Sequence, residues 1–149
     1  MMRYLFDSNT LSDLYDNNAD NHIMIFNRFN NLTNNDVAAV SILTLYVMEY
    51  GLQNAPEHKK ERIKQGIDNI TTSFFILPLN INYAATFGIL KKKLRDSRMI
   101  NKENIKKHTI DIMLASCAIC ESYILISADG IYQDLKQFSD GLYVEDWTE

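Results

Sequence analysis

The chain has 149 residues, enough for a single domain that buries about two-thirds of its unfolded surface, and 46% of them are hydrophobic, which excludes a disordered protein. Lys and Arg number 15 against 19 Asp and Glu, and the net charge of -4 excludes a globally basic binder of nucleic acid but not a local basic patch. No apolar run approaches the roughly 18 residues that cross a bilayer, and Asp7 interrupts the start too early for a signal peptide. Two cysteines are too few for a disulfide framework. We therefore expect one cytoplasmic domain over residues 1–149.

Short apolar runs alternate with segments of helical periodicity along the whole chain. In chain order, the pattern predicts a strand at 3–6, a helix through residue 15, a helix at 23–32, a strand at 37–40, helices at 43–52 and 57–70, a strand at 74–77, a helix at 81–98, a polar connection at 99–107, a helix at 110–121, a strand at 123–127, a helix at 129–138 and a strand at 142–144. We expect Ser8–Thr10, Ser41 and Thr109 to cap the helices that follow them. Short, continuously apolar strands between helices are typical of a parallel sheet with helices on both faces, so the predicted fold class is α/β.

Three acids stand where such a sheet places its functional crevice, beyond the carboxyl ends of the strands. Asp7 ends the first strand, Asp129 follows the fourth, and Asp111 begins an apolar helix. If they converge, their mutual repulsion requires a cation, and Mg²⁺ or Mn²⁺ prefers such oxygen ligands. Each acid also has a simpler interpretation: Asp7 as a helix cap, Asp111 as a first-turn acid and Asp129 as a turn residue.

Five short motifs, in order and spread from end to end, are similar to those of the PIN-domain family, specifically the VapC-type toxins of toxin–antitoxin pairs. Each motif is weak alone, and their order and spacing carry the resemblance. They are Tyr4–Leu11, Ser41–Leu45 with Tyr50-Gly51 after it, Asp111–Ala118, Ile124–Asp129 and Gly141–Trp147.

The resemblance implies a PIN-like three-layer α/β/α domain with a central, mainly parallel sheet, and the activity of a Mg²⁺- or Mn²⁺-dependent endoribonuclease. It implies that Asp7, Asp111 and Asp129 are catalytic and hold the metal, directly or through water. Polar side chains beside them would orient these carboxylates: Asn9, Ser127 and Thr44. Caps and turns explain Asn9 and Ser127 equally well.

The resemblance also implies partners: a cognate VapB-like antitoxin that obstructs the acidic site, an RNA substrate and a second copy of the chain in a homodimer. Apolar residues in the first two helices exceed what one helix face needs, so part of that surface is a candidate for partner contact. Packing in the core is the competing interpretation of the same residues, which are Leu11, Leu14, Ile23, Phe26 and Phe29.

The second motif departs from the family pattern, which has an essential Glu three residues after its Thr. Counting from Thr44, that position is Val47, and the next acid, Glu49, is about 200° further round a helix. Three explanations stay open: a natural chain without nuclease activity, an inactivating change acquired during cloning, and a distortion that brings Glu49 into the site. We expect a weak or inactive nuclease, and the alternative function is a non-catalytic module that binds antitoxin and RNA.

Basic residues cluster on both sides of the connection that leads to Asp111. Arg95, Arg98 and Lys107 are candidates for a rim that grips RNA phosphates, with solvated helix faces as the equally good alternative. Cys117 and Cys120 lie in an apolar helix without a second pair of cysteines, which indicates packing and not a zinc or redox site.

Two further residues receive simple interpretations. His108 precedes the helix of Asp111, and we expect a cap or surface role for it, with RNA contact as the alternative. Trp147 is expected to pack the last strand against the rest of the domain.

Overall fold

The computed structural model describes all residues, 1–149, as five strands and eight helices. In chain order these are β1 (Arg3–Phe6), α1 (Ser8–Tyr15), α2 (His22–Asn30), β2 (Val37–Ser41), α3 (Ile42–Asn54), α4 (Glu57–Ser73), β3 (Phe75–Leu77), α5 (Tyr83–Ser97), α6 (Lys102–Lys107), α7 (Thr109–Glu121), β4 (Ile124–Ile126), α8 (Ile131–Lys136) and β5 (Tyr143–Glu145).

The strands form one sheet in the order β3-β2-β1-β4-β5, and every neighbouring pair is parallel. The predicted parallel α/β fold is therefore confirmed. From β1 the chain first builds outward through β2 and β3, then returns to the other side of β1 with β4 and continues to β5. The order reverses between β1 and β4, and in open α/β sheets ligands bind outside the carboxyl ends of the strands at such a point.

Alternation along the central strands divides the core into two layers. Leu5 and Leu125 belong to one apolar cluster, together with buried residues of α5, α7 and α8. Phe6 and Ile126, the next residue in each strand, belong to a second cluster with α1, α2, α3 and α4. Successive side chains of a strand point to opposite faces, so both faces of the sheet are covered and the fold has three layers.

Three predictions about helix starts and connections are wrong. The connection at 99–107 contains helix α6, which Asn101 caps by accepting a hydrogen bond from the backbone N–H of Asn104 at 2.9 Å. Thr109 does not cap α7, because its hydroxyl donates to the carbonyl of Lys106 instead. The cap of α1 is Asp7 and none of the Ser8–Thr10 residues. Ser41 does cap α3, as predicted.

The first two helices divide their apolar residues between core and surface. Leu11 and Leu14 are buried, whereas Ile23 is 71% exposed and Phe26 43% exposed. Trp147 is buried and meets Phe6 edge to face at 5.2 Å between ring centroids, which confirms its packing role. None of the eight helices combines the length and the apolar character that a membrane span requires.

Both cysteines are free thiols on α7, at i and i+3. Cys117 is buried in the cluster that α5 and α7 share, as expected for a packing residue. Cys120 is exposed, and its Sγ lies 3.3 Å from the hydroxyl of Thr86. Core packing is therefore confirmed for Cys117, whereas Cys120 lies on the surface, where packing against a partner stays a prediction.

Candidate metal centre

Asp7 begins the site at the end of β1. Its backbone N–H donates to the carbonyl of Ile126, which joins the end of β1 to β4. One carboxylate oxygen accepts from the N–H of Thr10 at 2.8 Å, and the other accepts from the hydroxyl of Ser127. Asp7 is only 5% exposed, so it is both the cap of α1 and a buried carboxylate at the reversal of strand order.

Asp129 reaches the same edge through the turn after β4. The hydroxyl of Ser127 accepts a hydrogen bond from the backbone N–H of Asp129 at 3.0 Å. The Asp129 carboxylate in turn accepts from the N–H of Ile131, the first residue of α8, at 3.1 Å. Ser127 therefore holds the carboxylate of Asp7 directly, whereas it contacts Asp129 only through the backbone.

Asp111 comes to this edge from the first turn of α7, and two side chains hold it. Its Oδ2 lies 2.7 Å from Nδ1 of His108, and its Oδ1 accepts from the hydroxyl of Tyr132 at 3.3 Å. Tyr132 is fully buried on α8. The orientation of Asp111 thus depends on how α8 packs against α7.

The ligand atoms of His108, Asp111 and Asp129 all lie within 4.8 Å of one another, and no other group of three or more such side chains exists in the chain. The oxygens of Asp7 are outside this group, although Asp7 is close enough to Asp129 to feel its charge. Burial raises the pKa of Asp7 above its ordinary value, and the negative charge of Asp129 adds to this increase. Two of the three predicted acids therefore share one potential coordination volume, and the third stands beside it.

The negative charge of this edge has no basic partner among Lys and Arg, since neither residue type forms an ion pair with Asp7, Asp111 or Asp129. Burial raises the pKa of Tyr132 well above its ordinary value, and the charges of all three acids contribute. Clustered carboxylate oxygens without a cationic side chain are the ligands that Mg²⁺ and Mn²⁺ prefer. The donor set therefore fits a hard divalent cation.

The position of the family Glu contributes no oxygen to this cluster. Val47 is 42% exposed on α3, one helical turn beyond Thr44, which is buried. Glu49 is exposed and belongs to no group of potential ligands. Because residues two apart on a helix point about 200° apart, Glu49 does not take the place of position 47.

Asn9, which was predicted to orient the acids, is exposed and forms no side-chain hydrogen bond. Its neighbour Thr10 instead donates to the carbonyl of Ile126 at 3.1 Å. Sequence reasoning missed Thr10 and Tyr132 and assigned His108 to a different role. The spacing of His108 and Asp111, three apart at a helix start, was an available signal. No local pattern connects Tyr132 with Asp111.

Basic residues form a groove between α5 and α6. Arg95, one of the predicted RNA contacts, lines it, while Arg98 is the left-handed C-cap of α5 and Lys107 is exposed at the end of α6. The other basic residues of this groove are Lys91, Lys92, Lys102 and Lys106. Helix α6, which forms one side of this groove, is followed directly in the chain by His108 and Asp111.

The chain is similar to individual proteins and solved structures over nearly its whole length, although no family model matches it. Ribonuclease VapC2 of Rickettsia felis is 24% identical over 150 residues, covering 99% of this chain and 100% of that protein. A chain in the structure of VapBC2 from Rickettsia felis, bound to a DNA fragment from its promoter, superimposes with a TM-score of 0.77 at 21% identity, covering 98% of this chain and 99% of that one. This chain has the PIN-like fold of the VapC toxins.

Two further solved structures have the same fold. A chain of VapBC-1 from nontypeable Haemophilus influenzae matches with a TM-score of 0.76 at 22% identity, over 99% of this chain and 100% of that one. The Sarcin-Ricin loop cleaving toxin VapC20 of Mycobacterium tuberculosis matches with a TM-score of 0.64 at 10% identity, over 88% of this chain and 93% of that one. The VapC resemblance inferred from five motifs therefore extends through nearly the whole tertiary structure.

Proposed function

We propose that this chain is the toxin of a VapBC-type toxin–antitoxin pair, a Mg²⁺- or Mn²⁺-dependent endoribonuclease that hydrolyses RNA phosphodiester bonds. The observation that carries the proposal is the set of three carboxylates at the reversal of strand order, without a Lys or Arg ion pair. The end-to-end similarity to a protein named as a ribonuclease supports the same chemistry.

When bound, Mg²⁺ or Mn²⁺ supplies Lewis-acid stabilisation of charge at a phosphodiester and a more acidic water. Asp7, Asp111 and Asp129 are the proposed ligands, directly or through water. Hydrogen bonds from neighbouring residues hold two of these carboxylates: Ser127 and Thr10 donate to Asp7, and Tyr132 donates to Asp111. Support of this kind fixes carboxylates before substrate arrives, so little reorganisation is needed during the reaction.

We propose that RNA approaches along the basic side of the site. Arg95, Arg98 and Lys107 remain the proposed phosphate contacts, and the lysines that line the groove with Arg95 extend this positive surface. Phosphate contacts of this kind position a nucleic acid without reading its sequence. The acidic edge repels RNA when it holds no cation, so a basic approach and a metal ion are both required by this mechanism.

The proposed partners are a VapB-like antitoxin and a second copy of the chain. The solved relatives include VapBC complexes, some of them bound to DNA. The chain also exposes large apolar side chains on α2 and α3. The most exposed of these are Ile23 at 71%, Tyr46 at 72% and Tyr50 at 71%.

Val47 favours a second candidate function. A valine cannot bind a metal ion or a water held by one, so the chain lacks one acid that the family pattern places at this edge. The expected consequence is weak or absent cleavage, and a module that binds antitoxin and RNA without cutting would have the same fold.

Metal binding and RNA cleavage measured on three proteins test the proposal. We expect calorimetry to detect stronger Mn²⁺ binding by Val47→Glu than by the unchanged chain, and none by Asp111→Asn. RNA cleavage should follow the same order. Equal cleavage by the unchanged chain and Val47→Glu would refute the role of position 47. Metal binding without cleavage by any variant would favour the binding module.

A further inference from the structure

We propose that the imidazole of His108 is itself a ligand of the metal ion, so that this site combines a nitrogen ligand with carboxylate oxygens. The inference rests on the proposed metal-dependent function and adds a residue that the family pattern does not supply. The juxtaposition that carries it is His108 with Asp111 and Asp129, whose ligand atoms converge within 4.8 Å.

The separations of these atoms fit coordination. Ligands about 2.1 Å from an octahedral ion are about 3 Å apart when adjacent and about 4.2 Å apart when opposite. Nδ1 of His108 lies 2.7 Å from Oδ2 of Asp111, and no pair in the group exceeds 4.8 Å. Small side-chain adjustments would bring all three atoms to one ion, and the proton that Nδ1 donates to Asp111 in the metal-free chain would move to Nε2 or be released to solvent when the ion binds.

The backbone places the His108 side chain at the site, where it contacts Asp111 and has no capping role. His108 is the N-cap residue of α7, but its side chain makes no capping hydrogen bond. Its only side-chain contact with a charged group is Asp111, and it is 28% exposed, so solvent and ions reach it. A histidine whose role was to cap α7 would bond to a free N–H of the first turn.

Because position 47 carries no carboxylate, a nitrogen ligand from His108 would change which metal ion the site prefers. An all-carboxylate site suits Mg²⁺ and Mn²⁺ alike, whereas imidazole is a softer ligand that Mg²⁺ rarely accepts and that transition metals bind well. A site with the His108 imidazole beside the two carboxylates should therefore prefer Mn²⁺ to Mg²⁺. Returning a carboxylate with Val47→Glu should reduce this preference.

Pulsed electron paramagnetic resonance of bound Mn²⁺ tests the proposal directly, because a directly bound nitrogen produces a hyperfine coupling. The samples are the full chain, His108→Gln and the matched control His58→Gln, whose histidine is exposed on α4 and belongs to no group of potential ligands. The full chain and His58→Gln should show the nitrogen coupling. Labelling histidine with ¹⁵N should change this coupling to the pattern of the ¹⁵N nucleus. His108→Gln should lose it.

Competition between Mn²⁺ and Mg²⁺, followed by the same signal, gives a second readout. His108→Gln should weaken Mn²⁺ binding about tenfold to a hundredfold and change Mg²⁺ binding much less. Equal weakening of both ions, with no nitrogen coupling in the full chain, would overturn the proposal and leave His108 as a positioning residue for Asp111. Absence of Mn²⁺ binding by both the full chain and Val47→Glu would overturn the metal-dependent function as well. Thermal unfolding of each variant confirms that it is folded.

Discussion

The buried charge of Asp7 should destabilise the metal-free protein, even though the same side chain caps α1. Replacing Asp7 by Asn removes the charge and keeps an oxygen that accepts from the N–H of Thr10, because Asn and Asp are equally good caps. Replacing it by Ala removes both. The pair of variants therefore separates the electrostatic cost of this carboxylate from its structural contribution.

The expected magnitudes follow from the contacts. Burial raises the pKa of Asp7, so its charge costs stability at neutral pH, and Asp7→Asn should increase the free energy of unfolding there. Asp7→Ala loses the cap, worth about 1 kcal/mol, and leaves a buried donor unsatisfied, which costs about 1–3 kcal/mol. Together these two losses should lower the free energy of unfolding by about 2–4 kcal/mol, less the electrostatic relief that Asp7→Ala shares with Asp7→Asn.

The pH dependence has a definite sign. The raised pKa means that the folded chain keeps the Asp7 proton to higher pH than the unfolded chain, whose ordinary value is 3.8. The stability of the unchanged protein relative to Asp7→Asn should therefore fall as pH rises from 3.8 through the raised pKa, and then stay constant.

Urea unfolding with a metal chelator present, at several pH values, measures these differences. The advantage of Asp7→Asn should vanish in acid and reappear at neutral pH, and added Mn²⁺ should stabilise only the unchanged protein. If Asp7→Asn is as destabilising as Asp7→Ala at neutral pH, burial and repulsion by Asp129 do not govern this carboxylate.

Three other measurements follow from the structure. Lys102→Ala with Lys106→Ala should reduce the slope of log affinity for single-stranded RNA against log salt by about 0.7 per lost phosphate contact, and an unchanged slope would exclude the groove as an RNA path. Burial raises the pKa of Cys117 to about 12, whereas Cys120 is exposed. A thiol reagent at pH 8 should therefore label only Cys120 in the native protein and both cysteines after denaturation. Two fast-reacting thiols in the native protein would contradict this. Hydrogen bonds from the N–H groups of Thr33 and Met2 lower the pKa of Asp36. Asp36→Asn should therefore lower the melting temperature at neutral pH but not in acid below that pKa. A difference that does not depend on pH would argue against these hydrogen bonds.

The strands and most helices could be predicted because local pattern reports burial directly. The central strands are continuously apolar since helices cover both faces of the sheet, and their runs end at polar residues that begin the next element. Helix α6 escaped prediction because six mostly charged residues have no helical periodicity of their own. Its one buried residue, Ile105, is held by the core of α5 and α7.

The candidate site divides in the same way. Asp7 and Asp129 could be placed at one edge because the ends of parallel strands meet there, and the resemblance to the VapC-type motifs added Asp111, which begins the helix before β4. Which oxygens converge was a matter of tertiary structure. Asp111 and Asp129 share a volume with His108, while Asp7 is turned toward Thr10 and Ser127.

The sequence by itself determined the fold class, the edge at which the acids stand and the absence of a carboxylate at Val47, because these depend on the order and type of residues along the chain. Only the tertiary structure decided that Tyr132 donates a hydrogen bond to Asp111. That contact forms where α8 packs on α7, and the distance between two side chains on different helices depends on packing that no local pattern encodes.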